Sequence, residues 1–176
     1  MKKVILSLVA VVAIALTSFG QSQAWENKTY VDEFGDPTAD KFSRVIVEGT
    51  FSNSATISSE LLVSIKMSTS EGAIAVSLDF YEYGSSKANF SSEFGVLLIK
   101  GDAGDVHKLR VYQGKSGYIY FGADEVTTKQ FIELLSTNNS LKCSYTEVTE
   151  YGTPSKYRFS IMVTGTEKSI EYLNNK

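Results

Sequence analysis

Four carboxylates stand within thirteen residues in the stretch YVDEFGDPTADKF, Tyr30 to Phe42. Carboxylates at that density do one of two kinds of chemistry: they ligate a hard cation, or two of them share acid–base work. A calcium loop of the EF-hand type needs oxygen ligands at alternating positions, a glycine in mid-loop and a closing glutamate; Asp32, Glu33, Asp36 and Asp40 do not fall on that spacing, and only a looser oxygen site stays open. A catalytic pair needs burial or coupling to push two pKa values apart, and the neighbouring residues supply neither. A turn between the first strand and the first core hairpin accounts for more of these residues. Gly35-Asp36-Pro37-Thr38 has a fixed φ at Pro37 and short polar side chains able to bond the local backbone. Phe34 and Phe42 are then expected to pin the two ends of the loop to a sheet.

The chain contains one His and one Cys. A zinc site takes four protein ligands, or three and a water, so His107 with Cys143 falls short. A Ser–His–Asp arrangement has its imidazole in His107 but no Gly-x-Ser-x-Gly elbow to present a nucleophile. The two glycine-rich turns, GDAGD and GKSG, do not extend to the Gly-x-x-x-x-Gly-Lys-Ser/Thr run that cradles phosphate. His107 shares the parity of Leu109 and Val111 and is expected to be a partly buried strand residue. Cys143 sits at an apolar position of its own strand and reads as a small buried hydrophobe. These residues assign no catalytic group, no metal and no cofactor.

What remains is aromatic. Among ten Tyr and ten Phe, the Phe residues follow core parity. Tyr81, Tyr83, Tyr112, Tyr118 and Tyr120 instead cluster on or beside strand ends, where they can form a surface with Lys108, Arg110 and Lys115. A Tyr-rich face with interspersed cations is a contact surface for a protein or glycan; ordinary cross-strand Tyr pairing is the alternative.

The elements that must position these residues begin after a leader. MKKVILSLVAVVAIALTSFGQSQA has a basic start at Lys2 and Lys3 and a thirteen-residue apolar run from Val4 to Leu16, the pattern of a secretory signal peptide. A bilayer-crossing helix takes about 20 residues, so no membrane anchor is expected in the mature form. Small residues at Ser22 and Ala24 place cleavage after Ala24, with Ser18 and Gly20 offering an earlier frame. Residues 25–176 then form a single β-rich domain in the periplasm or outside the cell. Seventeen Lys plus Arg against twenty Asp plus Glu give the chain a net charge of −3, and loss of Lys2 and Lys3 makes it −5. That balance gives no overall electrostatic footprint for nucleic acid. A single Cys forms no internal bridge, so the core must hold the fold unaided.

Beyond Arg44 the hydrophobic rhythm is period two. Leu61, Val63, Ile65 and Met67 share one side, as do Ile74, Val76, Leu78 and Phe80 after the STSEG turn. The same parity runs through Val45, Val47 and Phe51, through Leu141, Cys143 and Tyr145, and through Tyr157, Phe159, Ile161 and Val163. EFGVLLIK is nearly continuous in apolar residues and predicts a central strand covered on both faces. TTKQFIELLS breaks the rhythm: a Thr127-x-x-Gln130 capping box precedes Phe131, Leu134 and Leu135 at helical spacing. TEKSIEYL predicts a short terminal helix or turn. Short glycine-containing connections require antiparallel order. The expectation is an antiparallel β-sandwich or partly open barrel of eight or nine strands, with one helix between the seventh and eighth.

The order of an early Trp25, the DEFGDPT turn, GTFSNSAT, YEYG, FIELL and YRFSI resembles a group of small exported bacterial proteins of unknown function. That group is in turn similar in pattern to the periplasmic accessory protein of type VI secretion. The resemblance implies a non-catalytic β protein working by contact in the cell envelope, with another protein or an envelope surface component as partner. It assigns no site residue. The chain lacks the Cys pairs common in exported accessory proteins. The expected function is therefore an exported binding or accessory module; the alternative is a secreted hydrolase using His107 with carboxylates such as Asp32, Asp36 and Asp40.

Overall fold

The structure is a computed structural model and describes residues 23–70, 73–90, 93–121, 125–147 and 154–175. The segment expected to be a signal peptide lies outside these except for Gln23 and Ala24. Ten strands and two helices are formed by the described residues: β1 (Glu26–Val31), β2 (Pro37–Ser52), β3 (Ser59–Ser70), β4 (Ala73–Glu82), β5 (Ser86–Lys87), β6 (Phe94–Lys100), β7 (Val106–Gly114), β8 (Tyr118–Tyr120), α1 (Glu125–Thr137), β9 (Ser140–Thr146), β10 (Lys156–Met162) and α2 (Thr166–Asn174).

All strand pairs are antiparallel. Eight strands close into a barrel in the order β2-β10-β9-β6-β7-β8-β4-β3, and β3 returns to β2 from Phe42↔Ser68 to Phe51↔Ser59. The length of β2 makes this possible. One edge pairs with β3; the other is divided, its first part taken by β1 (Glu26↔Arg44 to Val31↔Pro37) and its last by β10 (Phe159↔Gly49 to Lys156↔Ser52). The small strands β1 and β5 stand outside the ring, so the described residues form ten strands, eight of them in the expected barrel, with α1 between β8 and β9.

Alternation fills the interior. Leu61, Val63, Ile65, Met67, Leu78, Phe80, Leu97, Val111, Ile119, Leu141, Tyr145 and Ile161 are all completely buried. An eight-stranded barrel is just wide enough for side chains to fill it. At the end where β4 stops and β10 starts the filling is aromatic: Phe80 meets Tyr157 at 5.1 Å between ring centroids, Tyr145 at 5.6 Å and Phe90 at 5.7 Å. At the other end β8 is too short to complete the wall, and α1 packs against β4, β7 and β9 in its place. Phe131, Leu134 and Leu135 of α1 are buried, with Phe131 stacked on Phe121 at 4.7 Å. The terminal segment is helical as its spacing predicts, opening after Gly165 at φ 87° and resting on β1 and β2.

Four expectations are corrected. Helix α1 starts at Glu125, so Thr127 lies inside the helix and, with Thr128, is buried there instead of capping it. Strand β6 is covered on one face only: Leu97 and Ile99 are buried, but Val96 is 44 % exposed, because the outside of a closed barrel has no second layer. His107 is exposed. It keeps the inward parity of Leu109 but stands at the rim, past the last core layer. Phe34 is 82 % exposed at the tip of the β1–β2 turn, where no sheet lies beneath it; Phe42 alone does the pinning, against Tyr30 at 4.9 Å, with the Lys66 ammonium over both rings.

Candidate contact surface

On β6, β7, β9 and β10 the odd-numbered residues turn into the barrel and the even-numbered ones turn out. Outward positions therefore follow from the same rhythm that builds the core. The rhythm places Lys100 on β6, Lys108 and Arg110 on β7, Lys142 on β9, and Lys156 and Arg158 on β10, all six exposed. No outward position of these four strands holds a carboxylate. Among the described residues none of the six cations forms an ion pair. Register brings them together: Lys108 lies opposite Leu98, Leu98 opposite Ser144, and Ser144 opposite Arg158, while Lys100 faces Lys142 directly. A groove of about 530 Å³ runs over the centre of this wall, lined by Lys100, Lys142, Arg158, Leu98, Ser144 and, on its β2 side, Glu48. Gln23 closes one flank. Its side-chain amide donates to the Ser160 carbonyl at 3.2 Å and accepts from the Met162 N–H at 2.7 Å, as a neighbouring strand would.

The aromatic residues continue the same wall onto β8. Phe94 and Tyr112 lie 5.0 Å apart, Tyr112 and Tyr120 stack at 5.4 Å with 19° between planes, and Tyr118 is 5.8 Å from Tyr120. The Arg110 guanidinium sits 4.4 Å over the Phe94 ring, a contact worth about 0.5–1 kcal/mol when exposed. Gly114, opposite Tyr118, leaves room for that ring to lie across the backbone. Of the residues singled out by the sequence, Tyr112, Tyr118, Tyr120, Lys108 and Arg110 are thus on one outer wall, whereas Tyr81 stands on β4 under the Lys87 ammonium and Tyr83 packs against Phe51 at the aromatic end of the barrel. Sequence reasoning missed Lys100, Lys142, Lys156 and Arg158, whose strands are distant along the chain. The signal was present in SLKCSYT and KYRFS, where each cation alternates with a core residue, but strand order alone makes them neighbours.

His107 lines a second depression, of about 380 Å³, between the β6–β7 turn and α1, together with Asp105, Gln130, Glu133 and Thr137. The site is built by Asp102, whose carboxylate accepts from the Asn139 N–H at 2.7 Å and the Asn139 side chain at 2.9 Å, while Asn138 accepts from the Asp102 N–H. These bonds, the Asn139 backbone donor first, hold the Asp102 carboxyl below the usual carboxylate range. The geometry brings an imidazole near two carboxylates. It does not link them: among the described residues no hydrogen bond joins the His107 imidazole to a partner, and the Thr137 hydroxyl donates to the Glu133 carbonyl at 2.8 Å. Asp32, Asp36 and Asp40 are not part of this depression. Asp32 instead accepts from the N–H groups of Phe34 and Asp36, both at 2.9 Å, closing the turn between β1 and β2.

Burial pushes the Cys143 thiol far up, so the thiolate that reactivity requires is not formed. Burial likewise raises the Tyr145 and Tyr157 phenols, and Tyr157 donates to Glu82 at 2.8 Å. Among the described residues no three His, Cys, Asp or Glu side chains are placed to share a metal ion, and no helix is long and apolar enough to cross a membrane. The chain matches no protein-family model, no curated protein and no solved structure.

Proposed function

We propose that this chain is an exported, non-catalytic binding or accessory module of the bacterial cell envelope, and that the outer wall of β6, β7, β8, β9 and β10 is its contact surface. The observation that carries the reading is the segregation of charge: a chain with an excess of acids places six cations and no acid on the outward positions of four strands that need not share a sign. Stability alone favours the opposite, since interspersed signs lower self-repulsion and like charges directly across a ladder are destabilising. The leader and the resemblance to small exported proteins support the location. The exposed rings of Phe94 and Tyr120 at the border of the field support contact. Affinity capture from envelope extracts with the leaderless protein tests this. Capture that disappears in a Tyr118→Ala/Tyr120→Ala variant, with Lys142→Glu/Arg158→Glu beside it, is expected; equal capture by all three proteins removes the wall from consideration.

A hydrolytic reading has one observation in its favour, the shared depression of His107, Asp105 and Glu133. Among the described residues no nucleophile is hydrogen-bonded to the imidazole, the arrangement that a covalent mechanism uses. Loss of an ester- or glycan-hydrolysing activity in His107→Ala would reinstate it.

A further inference from the structure

The wall has the chemistry of a site for an acidic polysaccharide, and we infer that its occupant is a carboxylate- or phosphate-bearing glycan chain; this rests on the contact-surface reading above. Three features specify the ligand. First, Lys100 and Lys142 are directly opposed across the β6–β9 ladder with no carboxylate paired to either. Two lysines at directly opposed positions, at a cost to the ladder, offer two cations to one anion. Second, hydroxyls alternate with the cations across the strands: Ser144 stands between Leu98 and Arg158, Thr146 between Val96 and Lys156, and Thr50 lies beyond Arg158. Hydroxyl and ammonium donors at neighbouring positions match a chain that presents hydroxyls and spaced anions along its length. Third, the groove over Leu98 is open and runs across the strands, so it admits an extended polymer.

Single-stranded nucleic acid offers the same charge but asks for open ring faces interleaved with the cations. Here the Phe94 face is covered by Arg110, and Tyr112 lies between Phe94 and Tyr120. The rings stand along one border of the cation field and are not interleaved with it. An acidic protein surface would meet the cations too, but leaves the alternation of hydroxyls without a role.

The experiment titrates the leaderless protein with four polymers at two salt concentrations: polygalacturonate, dextran, an oligo-dT of similar length and polyglutamate. Polygalacturonate is expected to bind tightest, dextran not measurably, and affinity is expected to fall as salt rises. Lys142→Glu/Arg158→Glu should lower affinity for polygalacturonate by about tenfold or more, while the Tm of that variant stays near the parent value because both residues are exposed. Absence of polygalacturonate binding, equal binding of dextran, or indifference to the charge reversal overturns the proposal. Tighter binding of oligo-dT gives the wall to nucleic acid, and tighter binding of polyglutamate gives it to a protein; either overturns the glycan. If polygalacturonate fails while capture from extracts still depends on the wall, the contact surface stands and only the ligand class is lost. If capture is also unchanged in both variants, the contact surface falls with it.

Discussion

Gly117 and Gly35 offer a paired test of how the barrel's outer edge is built. Both adopt a left-handed backbone, φ 72° at Gly117 and φ 88° at Gly35, so alanine at either position carries a conformational cost of about 1–2 kcal/mol. Their surroundings differ. A Cβ at Gly35 meets nothing within 4 Å, whereas one at Gly117 runs into the backbone of Ala88, 2.8 Å from its nitrogen and 2.9 Å from its carbonyl carbon. That backbone is not free to move: the Ala88 N–H donates to the Phe80 carbonyl at 3.0 Å, and the Phe80 N–H donates to the Gly117 carbonyl at 2.8 Å. Relieving the clash must break one of those bonds or displace Phe80, the ring on which the aromatic end of the core converges. Overpacking of that kind adds about 1–3 kcal/mol. Gly35→Ala should therefore cost about 1–2 kcal/mol and Gly117→Ala about 2–5 kcal/mol, which for a domain of this size means Tm losses of roughly 2–8 °C and 4–20 °C. Thermal and urea unfolding of the two variants beside the parent decide it. Equal losses would refute the argument, because they would show that the approach of the β7–β8 turn to Ala88 contributes nothing beyond backbone conformation.

Tyr157→Phe removes the donor to Glu82 while keeping the ring stack, and should cost about 1–2 kcal/mol in urea unfolding; an unchanged midpoint would mean that water already serves Glu82. Because Asp102 has its pKa depressed by its bonds to Asn139, its contribution is present above the ordinary aspartate range and is lost as pH falls through the lower folded value; the Tm difference between the parent and Asp102→Ala should hold at neutral pH and shrink as the pH is taken below the ordinary aspartate range. Cys143 should resist thiol reagents in the native state and react only as fast as the barrel opens, so labelling faster than unfolding would contradict its burial.

Period-two patterning was enough to place the inward residues of β2, β3, β4, β7, β9 and β10, because each strand has one buried face and one wet one. It failed at β6 for a physical reason. Val96 and Leu98 are apolar yet face outward, where Leu98 floors the groove between cations, so hydrophobicity there reports a surface and not a second layer. His107 was misplaced because parity tells which way a residue points but not whether a core layer lies at its height. Closure was also hidden: nothing in the length of β2 reveals that its two edges are shared among three partners. The Tyr side of the contact surface was legible because Tyr112, Tyr118 and Tyr120 lie on consecutive strands. The cations of β9 and β10 came into view only when strand order set those strands beside β6.

Strand β1 is bound to the stretch of β2 that extends past the end of β10, so the ring would remain shut without it. Opening the β1–β2 ladder parts five residue pairs at the margin of the body, whereas parting β2 from β3 means breaking ten residue pairs flanking a packed interior. The amino-terminal strand can thus open, lengthening the chain by up to roughly 3.4 Å per residue, while the eight-strand ring keeps its shape.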